Sequence, residues 1–275
     1  LIMFLSNNLC YLEMHRTGSI HLVELLNKYI SHGKIIGVHN RASQDVYDSD
    51  RFFLGSIRNP WEWYVSAWSY GCVKKGGLYM RLSSKKIYFN NLGFKTNPLL
   101  APYIFLQQLW RPLSVWRELY SDTQSIKNFR KWLKLLLGGS RIYDIGEGFA
   151  LSSISKFAGL MTYRYLVLYS SNIKKLYDNS IVSYKNLEEF DKKYNVLDYI
   201  IRNESLEENF FDALLNLKIK IDEKEKDQIR KLKRTKWGAW RDQKLNDFFD
   251  DECLELVQEK EKFIINKYRY EKPHN

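Results

Sequence analysis

Residues 10–30 read CYLEMHRTGSIHLVELLNKYI, and within this stretch the pattern changes from that of a strand to that of a helix. Leu9, Cys10, Tyr11, Leu12 and Met14 form a short apolar run of the length of a buried strand. His15, Arg16, Thr17, Gly18 and Ser19 follow. Leu22, Val23, Leu25, Leu26, Tyr29 and Ile30 then recur at helical spacing, with Glu24, Asn27 and Lys28 between them. The helix is expected to begin near Gly18 or Ser19. Its first N–H groups lack intrahelical acceptors and point beyond the strand, where an anion gains these donors and the helix dipole. Gly18 admits a close backbone approach, Arg16 adds a charged fork of donors, and Thr17 and Ser19 add hydroxyls. An ordinary helix capped by Ser or Thr answers to the same residues. The GKS or GKT ending of a Walker loop is absent.

A second strand–loop–helix unit occupies residues 51–68, RFFLGSIRNPWEWYVSAW. Phe52, Phe53, Leu54 and Ile57 read as a strand, with Gly55 and Ser56 allowing close approach. Arg58 stands at its end. Asn59-Pro60 turns the chain, and proline suits the first position of a helix. Trp61, Tyr64, Val65 and Trp68 form the apolar face of that helix. Ser66 lies about two turns in, so Arg58 and Ser66 can grip one phosphate from two sides. An arginine paired to a carboxylate and a serine packed against a neighbour is the plainer alternative.

Between the two units, residues 34–38 (KIIGV) read as another strand, with His39 at its end. In an open α/β sheet, ligands collect beyond the carboxyl ends of the strands. His39 is therefore expected at the same rim as Arg16 and Arg58. Its unperturbed pKa suits a general base near neutral pH. His15 is the rival base, inside the loop itself. Glu13 and Asp45 are weaker acid–base candidates, and His32 and His274 read as bystanders.

Taken together, these stretches resemble sulfotransferases that use 3′-phosphoadenosine 5′-phosphosulfate (PAPS). MHRTGSIHL is similar to the family's 5′-phosphosulfate loop and SIRNPWEWYVSAW to its 3′-phosphate motif. DYIIRNESLEENF, residues 198–210, is similar to a late strand and turn. FFDDECLELV, residues 248–257, with its continuation to Tyr268, is similar to the closing helix. The resemblance implies that Arg16, Thr17, Gly18 and Ser19 hold the 5′-phosphosulfate and that Arg58 and Ser66 hold the 3′-phosphate. Arg16 stands where the family commonly has lysine. Ile20 stands where a phosphate-binding Thr or Ser is common, and Ser19 or His21 is placed to compensate. The GVHNRAS run resembles a histidine-bearing loop of carbohydrate sulfotransferases, which implies His39 as base and a glycan hydroxyl as acceptor. A family loop that closes over the nucleotide falls in residues 230–241, which makes Arg234, Thr235 and Lys236 cofactor candidates. The implied fold is α/β, a mainly parallel sheet flanked by helices and related to P-loop NTPases. One domain is expected over residues 1–275, with 72–190 as a largely helical acceptor-binding region.

Composition agrees with a folded chain whose basic balance points to an anionic ligand, nucleic acid or a membrane surface. The chain has 275 residues, 45% hydrophobic and 15% aromatic, with a formal net charge of +11. Much of the excess sits in residues 218–236 and 130–134, which also read as solvated helix faces. Cys10, Cys72 and Cys253 are odd in number and lack metal-ligand spacing, so neither a disulfide framework nor a zinc site is expected. No run of about 18 apolar residues marks a membrane span, and residues 1–5 are too short for a signal peptide. A cytoplasmic location follows as the expectation.

The middle of the chain says less. Residues 71–93, rich in glycine and lysine, read as loop, while 126–137 and 151–168 have helical apolar spacing. Tyr79, Tyr88, Phe89, Tyr103, Trp110, Trp116, Trp132 and Tyr143 are either core or platforms for sugar rings. Two other functions stay open. A nucleotide-dependent kinase of related fold would lack its Walker ending. A non-enzymatic nucleic-acid-binding protein would use the basic and aromatic run 230–241 but leaves the Arg58/Ser66 spacing unexplained.

Overall fold

The computed structural model describes residues 2–38, 41–89, 92–93, 97–232 and 243–273. The chain is α/β and divides into two compact units. One comprises Leu1–Asn59, Arg164–Asn172 and Asp191–Lys236; the other comprises Pro60–Tyr163, Ile173–Phe190 and Trp237–Asn275.

The first unit is built on five strands: β1 (Ile2–Leu5), β2 (Leu9–Leu12), β3 (Lys34–Val38), β4 (Phe52–Ile57) and β5 (Tyr199–Arg202). Their order across the sheet is β3-β1-β2-β4-β5. β2, β4 and β5 are parallel neighbours. β1 runs against both β2 and β3, so four of the five strands share one direction. β1 was not foreseen from the sequence. It forms a hairpin with β2 across residues 6–8, where Ser6 Oγ accepts the Leu9 N–H at 3.1 Å and donates to Asn8 Oδ1 at 3.0 Å. A serine and two asparagines suit such a turn because their side chains replace missing backbone partners.

β2 is buried along its whole length, which explains its unbroken apolar sequence. The helix α1 (Ser19–Tyr29) contributes Leu22, Leu25 and Leu26 to the core around Tyr11 and Leu54. The helix α11 (Leu206–Asn216) contributes Phe210 and Leu214. The short helix α2 (Gln44–Tyr47) precedes β4, and α12 (Glu223–Lys231) follows α11. An Asp222/Glu225 capping box starts α12.

The second unit is helical. Its elements are α3 (Pro60–Cys72), α4 (Gly77–Ser83), α5 (Ala101–Leu109), α6 (Leu113–Leu119), α7 (Ile126–Leu137), α8 (Ile142–Ile145), α13 (Asp251–Lys260) and α14 (Lys262–Tyr268). The chain passes from one unit to the other within α9 (Leu160–Tyr169) and again within α10 (Tyr184–Tyr194). Tryptophans dominate the core here, and three of the buried indoles show how such an N–H finds its acceptor. Trp68 donates to Leu119 O at 2.8 Å, Trp116 to Asp144 Oδ2 at 2.8 Å and Trp132 to Tyr120 Oη at 2.7 Å. Trp116 and Trp132 are fully buried and so are core rather than sugar platforms.

Three sequence expectations need correction. Residues 77–83 form α4 within the stretch read as loop, because Leu78 and Leu82 bury one face of a single two-turn helix. Residues 151–168 are not one helix: 3₁₀ turns at Phe149–Leu151 and Ser153–Lys156 precede α9. The closing helix is two helices, broken at Glu261. Glu261 is wholly buried. It accepts the Met161 N–H at 3.1 Å, the Thr162 N–H at 2.8 Å and the Thr162 hydroxyl at 2.6 Å, and Tyr64 Oη also donates to it. Burial pushes its carboxyl up to about 7, against the pull of these four donors.

Candidate anion-binding site at the strand ends

Three stretches that are distant in sequence meet at one edge of the sheet in the first unit. Leu12 pairs with Gly55, Gly55 with Ile200, and Ile57 with Arg202, so β2, β4 and β5 end side by side. The loop 13–18 leaves β2, Arg58 and Asn59 leave β4, and a 3₁₀ turn at Asn203–Ser205 leaves β5. Arg58 Nη1 donates to Arg16 O at 3.5 Å. The Asn59 N–H donates to Glu204 Oε1 at 2.6 Å. Gly18 faces Asn203 and Leu206 so closely that a Cβ there would lie 2.7 Å from Asn203 Nδ2 and 2.6 Å from Leu206 Cδ1.

The loop's shape follows from its backbone and from one buried network. Arg16 has φ 66° and Gly18 has φ 82°, both left-handed. Glycine adopts this freely; arginine does so only where its surroundings impose it. Beneath them, Thr17 is fully buried. Its hydroxyl donates to Met14 O at 2.6 Å, and the Ser56 hydroxyl of β4 lies 2.6 Å from it. Tyr11 Oη lies 3.0 Å from Ser56 Oγ. With Thr17 donating to Met14, the chain of donors runs Tyr11 to Ser56 to Thr17 to the carbonyl, each bond polarising the next. Tyr169 Oη completes the enclosure, accepting the Ser56 N–H at 2.9 Å. Burial, with help from Glu13 and Tyr169, holds the Tyr11 phenol well above its ordinary pKa, so it stays a donor.

This geometry changes what several residues offer. Thr17 presents its backbone, not its hydroxyl, because the hydroxyl is committed inward. Ser19 opens α1 with no side-chain cap beneath it, but its own hydroxyl donates to Glu13. Glu13 is therefore a buried carboxylate under the first turn of α1 rather than an open acid–base group. Ile20 is 47% exposed on that turn and adds only its N–H. His21 is buried, with Nε2 3.5 Å from Glu207 Oε1, so its ring turns toward α11. Arg16 and Arg58 are both half-buried at the rim.

Arg58 belongs to the first unit and Ser66 to the second, since the chain changes unit between Asn59 and Pro60. Ser66 is buried within α3. His39, Arg234, Thr235 and Lys236 lie outside the described residues, as does His274. His15 is half-buried in the loop, and His32 is an exposed turn residue with φ 56°. Asp45 is exposed in the first turn of α2. Arg230, at the near end of the basic run, is already engaged by Glu208 at 2.8 Å and Asp227 at 3.0 Å. Among the described residues, no group of three or more His, Cys, Asp or Glu is placed to hold a metal ion.

Nothing local marks Ser56 as a holder of the loop, because a small residue at that point of a strand answers equally to close approach. Glu204, the acceptor for the Asn59 N–H, is equally unmarked as such. The RNES run gave a signal for Glu204, but its partner lies 145 positions away. No family model, curated protein or solved structure matches this chain.

Proposed function

We propose that this protein transfers a sulfuryl group from PAPS to an acceptor hydroxyl, carried on a carbohydrate. One observation carries the reading: Arg58 at the end of β4 reaches the backbone of the Arg16–Gly18 loop at the end of β2, the neighbouring parallel strand. A positive rim of this kind, opening on a helix N-terminus, suits a ligand with phosphate-like groups at both ends.

In this proposal the backbone N–H groups of residues 16–21 and the Arg16 guanidinium bind the 5′-phosphosulfate. Thr17, Ile20 and His21 contribute through the main chain. Arg58 binds the 3′-phosphate, and Ser66, Thr235 and Lys236 are the further cofactor residues that the resemblance implies. The acceptor oxygen forms a bond to sulfur as the bond from sulfur to the 5′-phosphate oxygen breaks. The acceptor proton passes to the His39 imidazole, and adenosine 3′,5′-bisphosphate leaves. Most of the rate then comes from positioning and from charge stabilisation, as in phosphoryl transfer. The three cysteines are free thiols, which suits the cytoplasm that this reading assigns.

Thermal shift in parallel with adenosine 3′,5′-bisphosphate, AMP, ATP and a single-stranded oligonucleotide tests the reading. The bisphosphate is expected to stabilise the protein most; a ligand at about 100 times its Kd adds roughly 2.7 kcal/mol. Equal shifts with the bisphosphate and AMP would remove the 3′-phosphate assignment. A larger shift with ATP would favour a kinase, and one with the oligonucleotide alone would favour nucleic-acid binding.

A further inference from the structure

The helix α5 in the second unit is apolar on both sides. Ala101, Ile104 and Gln108 face inward and are buried. The outward face has no polar counterpart to them. At about 100° per residue, Pro102, Tyr103, Leu106 and Leu109 share an arc of about 120°. Leu99 precedes the helix, and Trp110 ends it. Leu99 is 93% exposed, Trp110 74% and Leu109 52%, with Tyr103 and Leu106 also exposed. Scattered exposed apolar residues need no explanation, but a contiguous ridge of them does.

The ridge continues onto a second segment. Arg111 is buried, and its guanidinium donates to Gln108 Oε1 at 2.5 Å, to Ser84 O at 2.5 Å and to Lys86 O at 3.3 Å. This clamp lays residues 84–86 against the end of α5. Lys85 and Lys86 are exposed there. Phe89, 63% exposed, stacks on Phe105 of α5 with ring centroids 6.1 Å apart. The result is an aliphatic and aromatic face with lysines beside it.

The surrounding sequence has one sign of charge. From Trp63 to Arg117 there is no Asp or Glu, while eight positions are Lys or Arg. Arg81 is tied to Glu147, and Arg111 and Arg117 to backbone carbonyls. Lys85 and Lys86 remain at the surface.

We propose that this face attaches the protein peripherally to an anionic lipid surface. Leu99, Leu106, Leu109, Phe89 and Trp110 would enter the boundary between headgroups and acyl chains, and Lys85 and Lys86 would meet the negative headgroups. A second copy fits less well, because the same patch on two chains brings lysines together with no carboxylate between residues 63 and 117 to answer them. A sugar polymer fits less well too, because a ridge led by leucines offers it few stacking planes or hydrogen-bonding groups. No helix among the described residues is long and apolar enough to cross a membrane, so attachment would be at the surface. The proposal does not depend on the sulfotransferase reading.

Co-sedimentation of the full chain with vesicles tests it. Vesicles of phosphatidylcholine containing about one third phosphatidylserine should capture the protein at least about tenfold better than phosphatidylcholine alone. Combined Leu106→Ser, Leu109→Ser and Trp110→Ser should lower capture by about tenfold or more. Lys85→Glu with Lys86→Glu should do the same through charge alone. These side chains are exposed, so melting temperatures should stay near that of the parent; if the triple variant misfolds, the lysine pair still decides. Three results would overturn the proposal. One is no preference for anionic vesicles. Another is capture that survives the folded variants. The third is a dimer in solution that the same substitutions dissociate, which would make a second copy the occupant.

Discussion

Thr17 Oγ1 lies 2.6 Å from Ser56 Oγ, a contact that fixes the loop after β2 to the neighbouring strand β4 across 39 positions of sequence. Both side chains are fully buried. The loop that carries Arg16 and Gly18 is therefore held from below by hydroxyls, leaving its upper surface to the backbone N–H groups.

Thr17→Val should cost about 1–3 kcal/mol of stability, because Met14 O and Ser56 Oγ each lose a buried partner. Thr17→Ser keeps the hydroxyl and should recover most of the loss. Urea denaturation of the three proteins measures this. A stable valine variant would mean that the network contributes little.

Glu13→Gln should strengthen binding of adenosine 3′,5′-bisphosphate by about two- to fivefold. The carboxylate now takes the Ser19 hydroxyl and places negative charge under the N-terminal turn of α1, where it opposes a bound anion. Isothermal titration decides. Unchanged affinity in a folded variant would place the anion away from this turn.

Arg58→Ala should weaken the same ligand by roughly 1.5–3 kcal/mol, the range for hydrogen bonds to charged groups, and leave AMP binding nearly unchanged. The fold should persist, since Arg58 is half-buried at the rim. Loss of folding with unaltered affinity in the folded fraction would make Arg58 a structural residue instead.

His39→Ala should reduce sulfuryl transfer by about 10²–10⁴-fold, the usual contribution of a general base, while nucleotide affinity holds. Labelled sulfate transferred to a glycan mixture supplies the assay. Full activity in the variant would pass the role to His15.

Glu261 should make stability depend on pH. Its carboxyl is raised from 4.5 to about 7 in the folded protein. Between these values the unfolded chain has lost the proton and the folded chain has kept it. Its contribution to stability is therefore greatest below 4.5, falls as pH rises through this window and levels off above about 7. The fall amounts to about 3 kcal/mol. Denaturation at a series of pH values, compared with Glu261→Gln, isolates it. The variant should show a flatter profile across the window even if it is less stable throughout; parallel profiles would assign the dependence elsewhere.

Elements whose signals are local can be read directly from the chain. The apolar runs of β2 and β4, the helical spacing of α1 and α7, and Pro60 at the first position of α3 were legible because strand period, helix period and proline geometry are properties of neighbouring residues. The positions of Arg16, Gly18 and Arg58 at strand ends followed from the same patterns. Folding in three dimensions was needed to reveal that β1 inserts antiparallel between β2 and β3, that the Thr17 hydroxyl points inward, that Ser56 and Glu204 hold the loops, that Trp116 and Trp132 are core, and that Glu261 interrupts the closing helix. Each of these depends on a hydrogen bond or a burial set by partners far along the chain. A hydroxyl or a carboxylate has the same local signature whether it faces a ligand or a buried carbonyl, and only the fold brings one or the other within reach.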